Sequence, residues 1–242
     1  MRKVAIFAEG QTELIFVRDF LLRLIDNSKL SLECLELLAY KPSKVPYSYS
    51  CPNPEIHFMI INVHGDEGVL SSIRLREKTL IEEGGYEKII GLRDMYSGAY
   101  RKLSPRAIND DISNQFIQSH NLTIQKMTYR DRIKLYFAIM EIEAWFLAMY
   151  NIFQRIDSVL TVEYIEEKLG FNLKRIDPQE EFFKPSSQVR DLFLLSGRQY
   201  DKKESDINNI TSKMELADFD NATENDRCKC FDAFYQEVRS YN

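Results

Sequence analysis

Five carboxylates carry the clearest chemical signal in this 242-residue chain: Glu9, Glu13, Asp94, Glu141 and Glu143. Glu9 directly follows the apolar run Val4–Ala8, and Glu13 comes one helical turn later. Asp94 follows a second apolar run, Lys88 to Leu92. Glu141 and Glu143 follow a third, Arg132 to Ile139. In an open parallel sheet, functional groups collect beyond the carboxyl ends of the strands. Carboxylates gathered there without a cation resist joint ionisation, whereas hard divalent ions prefer oxygen ligands and need only one or two carboxylates each. Two such ions, about 3.5–4 Å apart, can stabilise the attacking and leaving oxygens of phosphoryl transfer. The spacing therefore predicts a Mg²⁺ or Mn²⁺ site drawing on Glu9, Glu13, Asp94 and Glu143, with Glu141 as a further catalytic candidate. Each acid also has a structural reading. Glu9 can favour a helix N-terminus electrostatically, and Asp94 can cap a turn. Glu141 and Glu143 lie two apart, so on a helix at most one joins the site unless the chain is still extended there.

The elements that must position these groups follow from hydrophobic periodicity. Val4–Ala8 reads as a strand buried on both faces, and Leu14, Val17, Leu21, Leu24 and Ile25 form one face of the helix that follows. Further strands are expected at 32–38, 58–63, 88–92 and 132–139. The stretch with Pro42, Pro46, Pro52 and Pro54 is expected to be a loop. Helices are expected at 69–82 and at 104–119, the latter opened by Ser104-Pro105, and then at 141–147. Alternating strands and helices up to residue 150 predict a mainly parallel α/β sheet flanked by helices. After 150 only helices are expected, at 161–169, 186–196, 204–216 and 227–240. The expected organisation is a catalytic domain at 1–150 and a helical region at 151–242. Trp145, Phe146 and Phe137 read as core rather than as base-stacking platforms.

Composition narrows the class. Hydrophobic residues make up 44% of the chain, enough for a substantial core. No run of 18 apolar residues occurs, so no membrane span is expected; a cytoplasmic location is expected from the cysteines, read as reduced thiols. The four cysteines are irregularly placed, and Cys228-x-Cys230 lacks both the spacing and the second pair of a zinc knuckle; they are expected to be reduced thiols. The net charge of −5 argues against a simple electrostatic nucleic-acid binder but leaves a carboxylate-rich nuclease open. Arg93, Arg101 and Lys102, which flank Asp94, are the favoured phosphate contacts. Arg74-Arg76-Lys78 and Lys126-Arg130-Arg132-Lys134 are further candidates.

Ala8-Glu9-Gly10-Gln11-Thr12-Glu13, after a short hydrophobic strand, resembles the first motif of Toprim-related proteins, Glu-Gly-x-Thr-Asp/Glu. With Asp94-Met95-Tyr96 and Glu141-Ile142-Glu143-Ala144 it is similar, over the first 150 residues, to a bacterial family of unknown function. The resemblance implies a Toprim-like fold and a divalent-metal site built from Glu9 and Asp94. It further implies nucleic acid as substrate, as in nucleases of the overcoming-lysogenization-defect type, and an ABC-type ATPase partner in phage defence. A non-catalytic module that docks such an ATPase is the alternative. Tyr96 stands where Toprim proteins commonly carry a second aspartate. Either the Glu141/Glu143 segment replaces that acid or the site takes one metal. Self-association as a homo-oligomer is compatible with each reading.

Overall fold

The computed structural model describes residues 1–39, 41–65 and 68–242; Tyr40, Asp66 and Glu67 lie outside the described residues. In chain order the first elements are β1 (Arg2–Ala8), α1 (Gln11–Leu24), β2 (Leu30–Leu38), β3 (Lys41–Lys44), β4 (Tyr49–Ser50), β5 (Ile56–Asn62) and α2 (Gly68–Lys78). A π-helical turn, Thr79–Glu83, extends α2. Then come β6 (Lys88–Asp94), α3 (Gly98–Leu103), α4 (Asp110–Ile124) and β7 (Ile133–Ala138). The remainder is helical: α5 (Glu143–Ala148), α6 (Asn151–Ile156), α7 (Val162–Leu169), α8 (Pro178–Glu181), α9 (Pro185–Leu194), α10 (Glu204–Thr211), α11 (Leu216–Thr223) and α12 (Lys229–Arg239).

The sheet runs β3-β2-β5-β1-β6-β7, with β4 also paired to β2. The expected α/β architecture is the one observed. β1 is parallel to β5 and to β6, and β2 is parallel to β5. Parallel neighbours need a crossover, here supplied by helices. Both faces of the central strands are buried, as their unbroken apolar runs require. On one face Ala5, Phe7, Met59, Ile61 and Ile89 pack with Val69 and Ile73 of α2 and with Ile124 at the end of α4. The alternate residues Val4, Ile6, Phe58 and Ile60 are fully buried as well, on the opposite face by the two-residue period of a strand.

Two compact units divide the chain. One comprises residues 1–93, 111–137 and 238–242, and the other 94–110 and 138–237. The helical unit thus starts at the end of β7 rather than at 150, and it takes in the segment after β6. The last five residues belong with the sheet unit, where the Arg2 guanidinium lies 4.5 Å from the Tyr241 ring centroid and Tyr241 meets Phe58 edge-on. In the helical unit Trp145 is fully buried, with ring centroids of Phe231 and Phe234 at 5.2 and 5.7 Å. Trp145, Phe146 and Phe137 are core, as expected. Among the described residues no helix is long and apolar enough to cross a membrane. Cys34, Cys51, Cys228 and Cys230 are free thiols.

Two local expectations are corrected. The proline-rich stretch is not only loop: β3 pairs antiparallel with β2, Leu37 opposite Pro42. An edge strand needs ladder donors on one side only, which is where proline is tolerated. Ser104 does not open a helix. It is the C-cap of α3, and its hydroxyl donates to the Ala107 carbonyl. Ser97 is the capping serine, accepting from Tyr100 N at 3.1 Å, and the next helix starts at Asp110.

Gly91 marks the tightest approach in the sheet unit. A methyl group there would run into Leu135 Cδ1 and stand 3.0 Å from both Ile73 Cδ1 and Val69 Cγ1. Gly91→Ala should therefore lower stability by about 1–2 kcal/mol through overpacking, despite alanine's better intrinsic propensity. Urea denaturation checks this, and an unchanged midpoint would show that the three side chains yield freely.

Candidate functional site

In the sheet unit the acids gather where β1 ends. Ala8 is opposite Asn62 of β5 on one side and Leu92 of β6 on the other, and Asn62 is opposite Glu36 of β2. The ladder continues one residue past β1. Glu9 N donates to the Leu92 carbonyl at 3.1 Å, and Gly65 N donates to the Glu9 carbonyl at 2.9 Å. The Glu9 backbone is thereby pinned on both sides. Glu13, one turn into α1, is 5% exposed. Its Oε2 lies 3.0 Å from where a Cβ on Gly10 would sit, so the carboxylate curls back over the Glu9-Gly10 turn. Gly10 has extended backbone, φ −145°; the glycine matters there for room rather than for conformation.

The parallel register brings further polar groups to this edge. Asn62 is buried, and its Oδ1 accepts from His64 N at 2.9 Å. His64 Nε2 lies 3.2 Å from Glu36 Oε2, and Gln11 Nε2 donates to Tyr47 Oη at 3.3 Å. These residues line a cleft of about 110 Å³. Sequence reasoning missed Glu36, Asn62 and His64 as neighbours of the first motif. The usable signal was that Asn62 closes the apolar run of β5 as Glu9 follows that of β1.

The helical unit holds the other acids around a residue that sequence reasoning did not single out, Lys202. Its Nζ lies 2.9 Å from Glu141 Oε1 and 2.9 Å from Glu143 Oε1. Glu141 Oε2 accepts from Ser186 N at 2.8 Å, and Glu143 Oε1 accepts from the Tyr200 hydroxyl at 2.7 Å. Glu143 is fully buried, and its Oε2 has no hydrogen-bond partner. Burial pushes the Glu143 carboxyl above the usual carboxylate range and Glu141 beside it pushes the same way, against the opposing pull of Lys202 and Tyr200. Burial alone would lower the Lys202 pKa, but Glu143, Glu141 and Asp94 more than reverse this, and it is raised.

Both glutamates reach one lysine because the chain is not helical at Glu141. Met140 has φ +61°, and α5 starts only at Glu143. The segment is a turn rather than an extended strand, with Ile142 in the right-handed region at φ −60° and ψ −20°, and what the two acids share is Lys202. Asp94 serves this turn directly: its Oδ1 accepts from Ile142 N at 2.9 Å. The ladder beyond β6 continues with Met95 N donating to the Ala138 carbonyl and Tyr96 N to that of Met140. Arg101 and Lys102 are exposed on α3, the Arg101 guanidinium 5.0 Å from the Tyr96 ring centroid.

Arg93, expected to face phosphate, is 5% exposed. Its Nη1 donates to His120 Nε2 at 3.1 Å, and the guanidinium lies 5.7 Å from the Phe137 centroid. Because Nε2 accepts, the His120 proton sits on Nδ1 and is donated to the Phe116 carbonyl at 2.8 Å. Among the described residues, no group of three His, Cys, Asp or Glu side chains forms a ready-made metal cage.

Comparison of the chain with protein-family models, with curated proteins and with solved structures returns no match.

Two predictions follow from these contacts. Lys202→Met strands two buried carboxylates and should cost about 3 kcal/mol. Adding Glu143→Gln should recover part of that loss, because one of the stranded charges is then gone. A double-mutant cycle reads the coupling, and strict additivity would mean the ion pair contributes nothing. The second concerns pH. Burial pulls the His120 imidazole down, only partly opposed by its bond to Phe116, and Arg93 pushes it lower still. Burial lowers His57 as well. The unfolded chain then binds more protons than the folded one between the depressed values and about 6.5. Stability should be complete above that pH and decline as pH falls through the window. His120→Gln should flatten the decline in urea melts between about pH 5 and 7; an unchanged slope would assign it elsewhere.

Proposed function

We propose that this chain is a divalent-metal-dependent nuclease that hydrolyses phosphodiester bonds, with Glu9, Glu13 and Asp94 as the carboxylates for Mg²⁺ or Mn²⁺. The observation carrying this reading is that β1 and β6 are adjacent parallel strands registered Ala8 to Leu92. The first-motif glutamate and the Asp-x-Tyr aspartate come just after those two residues in sequence. The donor set suits the ion, since Mg²⁺ takes one or two carboxylates and fills its remaining positions from water and substrate oxygens. Such an ion supplies polarisation of the phosphodiester and a bound water of lowered pKa.

The chain's own residues have separate tasks in this reading. The two hydrogen bonds to the Glu9 backbone hold that acid in place at the end of β1. Gly10 leaves the space into which the Glu13 carboxylate folds. Asp94 commits one oxygen to the turn before α5, which fixes its orientation. Glu141 and Glu143 hold Lys202 and so provide a fixed cation rather than ion ligands. Arg101 and Lys102 are exposed and available to phosphate. The capture of Glu141 and Glu143 by Lys202 also favours a second reading, a non-catalytic module that docks an ATPase.

The test is a cleavage assay on mixed DNA and RNA with Mg²⁺ or Mn²⁺, run beside thermal melts. Wild type should cleave and melt higher with metal. Glu9→Gln and Asp94→Asn should remove cleavage and the metal-induced rise together, because hard cations bind neutral amides poorly at such sites. Metal-free stability of Glu9→Gln should stay level or rise slightly as carboxylate repulsion falls. If metal shifts wild type and both variants equally, these residues are not its ligands. Absence of cleavage combined with activation of an ATPase would select the second reading.

A further inference from the structure

The outer edge of the sheet carries a cationic groove that the proposed nuclease site does not use. β7 is the last strand in the sheet order, so among the described residues one of its edges has no strand partner. A groove of about 290 Å³ runs along it, lined by Asn121 and Gln125 from the end of α4 and by Arg130, Lys134 and Tyr136, over Ile133 and Leu135. Among the described residues no carboxylate lines it. Arg130 and Lys134 are exposed, and Lys126 and Arg132, two further exposed cations, lie within four residues of Arg130 in sequence. The acid next to Arg130, Asp131, is 94% exposed and 3.9 Å away, a separation at which a solvated pair contributes little. On a protein of net charge −5, the described lining carries the cations Arg130 and Lys134.

Lysines on an edge strand can serve only to prevent edge-to-edge pairing. That role explains the charges but not the groove, with its apolar floor, its two side-chain amides and a half-buried tyrosine. Cations that track a phosphate backbone beside an aromatic ring that can stack on a base are the elements of sequence-tolerant single-strand recognition. We propose that the β7-edge groove binds single-stranded nucleic acid, with Arg130 and Lys134 on phosphates, Tyr136 against a base, and Asn121 and Gln125 contacting sugar or base edges. The proposal stands apart from cleavage and is tested without it.

Fluorescence anisotropy with end-labelled mixed-sequence oligodeoxynucleotide and oligoribonucleotide of about 16 nucleotides, a length on the scale of known single-strand sites, reads binding in EDTA, where metal-dependent cleavage is silent. Wild type should bind, and log Kd should rise with log salt. Arg130→Gln/Lys134→Gln should weaken binding at least tenfold at low salt and reduce the salt slope by about 1.4, two phosphate contacts at roughly 0.7 each. Tyr136→Leu should weaken binding about tenfold with the slope unchanged, as loss of stacking requires. Melting temperatures of the double variant should stay within a few degrees of wild type, as surface substitutions usually do, so that lost binding is separated from lost fold. Comparison of the two oligonucleotides identifies which sugar the amides prefer. The proposal is overturned if wild type does not bind, if the double variant keeps wild-type affinity, or if polyglutamate displaces the oligonucleotide as well as unlabelled nucleic acid does. A wild type that binds in EDTA but never cleaves with metal would sink the nuclease reading and leave the groove standing.

Discussion

The parallel pairing of β1 with β5 on one side and β6 on the other is the constraint from which the rest of the sheet unit follows. Ala8 is registered against Asn62 and Leu92, so β1 and β5 end in one row and β6 runs two residues further. Parallel strands cannot be joined by tight hairpins, and the returning chain must cover a sheet face with a helix. Both faces are then dry, and polar side chains are driven to the strand ends. The ladder runs on past Ala8, through Glu9 N to Leu92 and Gly65 N to Glu9. Backbone pairing therefore holds Glu9 before its side chain makes any contact.

Electrostatics organises the helical unit in a different way. Glu143 is fully buried, and a buried carboxylate survives only if paired and hydrogen-bonded. Lys202 and Tyr200 supply the partners, and Glu141 shares the same ammonium. Lys202 itself has φ +59°, a conformation uncommon for a residue with a side chain. A buried pair of this kind is weak evidence for net stability, since a hydrophobic replacement is often as good. Its significance lies in geometry. A cation held between two carboxylates keeps a fixed position, and the turn that presents both acids is secured by Asp94.

The acidic constellation thus divides by role. Glu9 and Glu13 belong to a strand end and the first turn of a helix. Asp94 is bonded into a turn through one oxygen, so its structural reading holds for that oxygen. Arg93, adjacent in sequence, is committed to His120 and Phe137. Two residues that adjoin along the chain have quite different surroundings, because successive strand residues point to opposite faces.

Much was legible in the residues alone. Apolar runs of strand length alternating with helical periodicity determine the α/β class, the central strands, and the position of Asp94 at one strand end and of Glu9 and the Glu141 segment after two others. These are local signals, written in residues a few positions apart, and the patterning that buries a strand on both faces admits few other folds. What only the tertiary structure decided depends on partners distant in sequence. Lys202 lies some sixty positions from the glutamates it neutralises, His64 meets Glu36 through strand register, and Pro42 is tolerated because its strand is at the edge. Even the number of glutamates facing one point turned on Met140 leaving the right-handed region, a backbone choice made where burial and the bond from Ile142 to Asp94 outweigh local preference. Periodicity reports which face of an element is apolar; which elements meet is settled by packing, and there a charge deep in the chain finds its counter-charge.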